Sequence, residues 1–116
     1  MSLKISQYVI QQFQNCALKA YKHGKLVESC GLVLQMYNHF SVAQEDSLLI
    51  TRYGLGIKYN ADKSFQYLRL LNPQGNDSIE FYYQSVQGYT NAVRTHIKAM
   101  NLYLSITQKY ISKNQH

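Results

Sequence analysis

From Ile79 to Ile111, apolar and aromatic side chains return every seven residues. Ile79, Val86, Val93, Met100 and Thr107 form one row, Tyr82, Tyr89, His96, Tyr103 and Tyr110 a second, and Tyr83, Thr90, Ile97, Leu104 and Ile111 a third. The rows are offset by three and four positions, which places all of them on one face of a helix wound at about 3.5 residues per turn. The pattern predicts a packing face on a long carboxy-terminal helix. At 1.5 Å per residue that helix measures about 50 Å. A compact domain of this length is roughly 35 Å across. The helix therefore either bends near Gly88, where glycine costs about 1 kcal/mol relative to alanine, or overhangs and pairs with a second copy of the chain.

Upstream, Ile5, Val9, Phe13, Cys16, Ala17, Ala20 and Tyr21 recur at helical spacing, and Lys19, Lys22, His23 and Gly24 read as the basic last turn and glycine cap of a first helix. Leu26, Val27, Cys30, Val33, Leu34 and Tyr37 predict a second helix, antiparallel to the first across a short turn at His23-Gly24. Ser41 to Gln44 has the form of a capping box, with Asp46 or Ser47 as other starting points, before a third helix on Leu48 to Ile57, loosened at Gly54 and Gly56. Asn60 then offers an N-cap for a short helix on Phe65, Leu68 and Leu71 that ends at Asn72-Pro73. Asp77 and Glu80 give another capping pattern where the heptad rows begin. No segment alternates as a strand does. The expected fold is all-α: a small bundle of five or six helices, built from antiparallel hairpins, with a long carboxy-terminal helix.

Within this pattern, residues 54 to 71 resemble the core of one tetratricopeptide-like repeat of the Sel-one type. The resemblance is carried by Gly54-Leu-Gly56-Ile57, by Asn60 in the place of an Asp, by Lys63-Ser64 in the place of Lys-Ala, and by Tyr67-Leu68 in the place of an aromatic pair. Leu71 stands where the family has a small residue, and the upstream Leu-Gly and Tyr of the family pattern are missing. The resemblance implies a helical hairpin between residues 53 and 71 and a shallow partner-binding groove bordered by Lys63 and Tyr67. It does not imply catalysis.

Length and composition narrow the class. With 116 residues and 46% hydrophobic content the chain is sufficient for one core, so residues 1–116 are expected to form a single domain. No run has the length of a membrane span, and no secretory signal is visible at the amino terminus, which points to a cytoplasmic protein. The formal charge of +6 favours anionic partners, yet the Lys and Arg residues are scattered singly, unlike a dedicated phosphate-binding stripe. Binding to nucleic acid is expected to be weak and unspecific. Cys16 and Cys30 flank the proposed turn and would face one another across the hairpin, as buried thiols first and a redox pair second.

No constellation carries chemistry. The six acids fall mostly at predicted helix starts, and the four histidines lack metal-ligand spacing. Arg94 and His96 lie two positions apart and point away from each other on a helix. The sequence thus predicts no catalytic residues, no metal and no cofactor. It carries eleven tyrosines and no tryptophan, and tyrosine suits a bundle rim or a protein interface. The expected function is a non-catalytic protein-protein interaction module, an adaptor, chaperone-like or regulatory protein, self-associating as a homodimer. Its expected interface comprises Tyr82, Val86, Tyr89, Val93, His96, Ile97, Met100, Tyr103, Leu104 and Tyr110. A basic nucleic-acid-associated regulator is the alternative.

Overall fold

Among the described residues three helices, not five or six, make up the fold. The computed structural model describes residues 7–37, 44–71 and 78–114. They form α1 (Gln7–Tyr37), α2 (Gln44–Leu70) and α3 (Ser78–Asn114), and no strand occurs among them. The helices run up, down and up. In the α1–α2 pair residue 24 faces 58, residue 28 faces 54 and residue 31 faces 51. In the α2–α3 pair Ser64 faces Ser85 and Gly56 faces Thr95. The central helix α2 packs along both neighbours, while α1 and α3 touch sparsely.

The expected turns are absent because the glycines serve close helix contacts and not chain reversals. α1 passes through Gly24 without a break, α2 through Gly54, Gly56 and Asn60, and α3 through Gly88. Three of these glycines are buried where another helix backbone arrives. A Cβ on Gly24 would stand 2.7 Å from the amide nitrogen of Lys58, and one on Gly54 would collide with the backbone of Glu28. A Cβ on Gly88 would lie 3.0 Å from the carbonyl oxygen of Asn60. The closeness of the backbones there offsets the propensity that glycine loses within a helix. Asn60, expected as a cap, sits in mid-helix and donates its side-chain amide hydrogen bond to the Gly56 carbonyl. The helical hairpin between residues 53 and 71 is therefore not formed, and neither is the groove it would create. The caps expected at Ser41 and Asp77, and the stop at Asn72-Pro73, lie outside the described residues.

Small side chains at heptad spacing build the packing seams. Ile10, Ala17, Gly24 and Gly31 are buried on α1, Ser47, Gly54, Ala61 and Leu68 on α2, and Ser85, Ala92, Ala99 and Ile106 on α3. Val27, Ile50, Ile57, Ala61, Ala92, Ala99 and Ile106 form one apolar cluster drawn from all three helices. Between α2 and α3 the hydroxyls of Ser64 and Ser85 share a buried hydrogen bond of 3.1 Å. Between α1 and α2, Lys58 donates to Glu28 at 3.0 Å, and the Gln35 amide donates to the Thr51 hydroxyl at 2.9 Å.

Long uninterrupted helices joined side by side give an elongated body of 66 × 22 × 19 Å with a radius of gyration of 18.1 Å. A compact chain of this length would have about 13 Å. The overhang inferred for a long α3 on a compact body thus disappears, since α1 and α2 are long as well. Cys16 and Cys30 are free and share α1, two heptads apart. At 1.5 Å per residue they are separated by about 21 Å along the axis, so they cannot pair within the chain.

Candidate functional site

The three carboxy-terminal rows, expected on one face, separate into two. Burial on α3 follows Phe81, Ser85, Gly88, Ala92, Thr95, Ala99, Leu102 and Ile106, steps of four and three that lie against α2, with Ala92 and Ala99 no more than 1% exposed. Ile79, Tyr83, Val86, Thr90, Val93, Ile97, Met100 and Leu104 follow the same steps on another side of the helix. Of these, Tyr83 is 63% exposed, Ile97 52% and Leu104 61%, while Val86 and Thr90 are half-buried. α3 therefore carries two heptad seams: a small-residue seam occupied by α2 and a bulky seam that no helix among the described residues covers. The sequence reading placed the packing face on the bulky rows; the fold uses the small one.

The tyrosine row lies between the two seams and turns towards α1. Tyr82 meets Phe13 edge to face with ring centroids 5.6 Å apart, and His96 meets His23 at 5.2 Å. The Tyr103 hydroxyl is buried without a hydrogen-bond partner. Burial pushes its phenol far above the ordinary value, and the adjacent Cys30 thiol adds to that. His96 Nδ1 is buried and unpartnered too. Tyr89 lines the same α1–α3 cleft as His96. Of the ten residues expected at an interface, Tyr82, Tyr89, His96 and Tyr103 are thus committed at least in part within the chain. Val93, Ile97, Met100 and Leu104 are presented outward, Val86 halfway, and the side chain of Tyr110 lies outside the described residues.

Lys63 and Tyr67, expected at a repeat groove, belong to the unbroken α2. Lys63 is exposed, and Tyr67 packs against Phe81 of α3 at 6.2 Å.

A cleft of about 300 Å³ opens between α1 and α3, floored by Ala20, Ile57 and Ala92 and edged by Lys19, His23, Val93 and His96. Missed in the sequence was the exposed row on α1, where Lys19, Lys22, Leu26, Val33 and Met36 share one outward side. Its signal was the continuation of the heptad through Gly24. Among the described residues no group of three or more His, Cys, Asp or Glu side chains is placed to hold a metal ion, and no helix is long and apolar enough to cross a membrane. Compared with family models, curated proteins and solved structures, the chain matches none of them.

Proposed function

We propose that this protein is a non-catalytic protein-protein interaction module of the adaptor or chaperone-like kind, with the outer seam of α3 as its docking surface. The observation that carries the reading is that α3 satisfies its packing against α2 with small residues and still holds a bulky apolar row, at heptad spacing, in solvent. The exposed part of that row is on the order of 500 Å², at the upper end of the patches that monomers leave bare. Heptad spacing suits an incoming helix, whose knobs fit between residues three and four apart.

A second reading keeps the same seam and fills it with α3 of another copy. It is favoured by the neutral residues flanking the row on α3, chiefly Tyr, Gln and Asn, and opposed by Arg94 and the lysines of α1, which in a second copy meet charges of their own sign. The nucleic-acid reading is less well supported, because Arg94 and Lys98 border an apolar strip and form no track of phosphate spacing.

Affinity capture with and without nuclease, on the unmodified protein and on Ile97→Ser with Leu104→Ser, tests the class. Proteins retained after nuclease and lost from the double variant are the expected result. Capture of nucleic acid alone would contradict it. Light scattering on the same two proteins decides whether the second copy is among the partners.

A further inference from the structure

The geometry points to an amphipathic helix with acidic flanks, supplied by another protein, as the occupant of the trough between α1 and α3. This inference rests on the docking role of α3 and names what docks there.

α1 and α3 run in the same direction, and the Phe13–Tyr82 and His23–His96 contacts set their register. By that register Lys19 and Lys22 of α1 lie level with the stretch around Val93, and they share the cleft edge with it through Lys19. Leu26 lies level with Met100, and Val33 beyond Leu104. The two exposed rows are thus the walls of one trough, floored where α1 and α3 fail to close over α2. Adding Leu26, Val33 and Met36 to the α3 row gives on the order of 800 Å² of apolar surface, the share one partner contributes to a standard interface. A fourth helix laid there would complete a four-helix arrangement.

Charge selects the kind of helix. α1 carries Lys19, Lys22 and Lys25 with one acid, Glu28, which is taken by Lys58 of α2. Beyond the first turn of α3, where Glu80 stands, its charged residues are Arg94, Lys98, Lys109 and Lys113. Lys19 and Lys22 edge one wall of the trough and Arg94 borders the other, so glutamates or aspartates on both flanks of an incoming helix meet cations. A second copy brings walls of the same sign. A membrane surface is flat, whereas this surface is concave and recedes into the cleft beside Val93.

The test is fluorescence anisotropy on the full chain with labelled synthetic helices about three heptads long, carrying Leu at the core positions. One has Glu at the flanking positions and one has Lys. The Glu helix should bind, with an affinity that falls several-fold from low to physiological salt, and the Lys helix should not. Lys19→Glu with Lys22→Glu and Arg94→Glu should weaken the Glu helix by roughly tenfold or more and admit the Lys helix. Circular dichroism checks that this variant folds, and Arg94→Glu alone carries the test if it does not. Equal binding of both helices, or indifference to the charge reversals, overturns the acidic occupant while leaving the docking role intact, provided Ile97→Ser with Leu104→Ser still abolishes binding. If that double variant binds as well as the unmodified chain, the docking role falls too. Binding to phosphatidylglycerol vesicles without binding of the Glu helix, or a dimer that excludes it, also overturns the inference.

Discussion

At the scale of single residues, the decisive side chains are absent or small ones. Gly54 and Gly56 are two positions apart on α2 and occupy opposite situations. A Cβ at Gly54 would run into the Glu28 backbone, whereas one at Gly56 would meet only the Thr95 methyl at 3.5 Å, an ordinary contact. Gly54→Ala should therefore destabilise the fold by about 1–3 kcal/mol as α1 and α2 are forced apart. Gly56→Ala should stabilise it by up to about 1 kcal/mol through helix propensity. Urea unfolding of the two variants beside the parent measures both. Tyr103 gives a second residue-level expectation. Its phenol is held neutral in the folded chain, while the unfolded chain ionises near pH 10. The stability that this contributes is complete below about pH 10 and declines as pH rises beyond it. Tyr103→Phe should be within about 1 kcal/mol of the parent at neutral pH, since the polar neighbour its hydroxyl finds is the Cys30 thiol, a weak hydrogen-bonding group. It should also resist alkaline unfolding to a higher pH, followed by circular dichroism.

At the scale of elements, the sequence made the helical class and the heptad period of α3 legible, but not the number of helices or the side that packs. Period alone could not separate the rows, because Ser85 is polar and Ala92 and Ala99 are only weakly apolar, although they are the residues that α2 covers. Bulk drew attention to Ile97 and Leu104, which face outward. The glycines misled for a related reason: Gly24 and Gly54 suit a turn and a close helix contact equally well, and only the arriving backbone distinguishes them. The histidine in the tyrosine row was legible as an oddity, and its partner His23 was hidden by the turn expected beside it.

At the scale of the whole molecule, three long helices around thin seams leave much of their apolar surface uncovered. The core is small: one cluster of Val, Ile and Ala drawn from a body 66 Å long and about 20 Å wide. A chain that buried its bulky rows internally would have to fold back on itself, and the short side chains along α1, α2 and α3 hold it straight instead. If the outer row of α3 is kept for a partner, as proposed, it contributes little to the stability of the fold. The most direct measurement is the unfolding free energy, in dilute urea-titrated monomer, of Ile97→Ser with Leu104→Ser against Ile57→Ala, whose side chain is 1% exposed in the core. The account predicts a loss within about 1 kcal/mol for the outer pair and about 2–5 kcal/mol for Ile57→Ala. A loss from the outer pair as large as that from Ile57→Ala would contradict it.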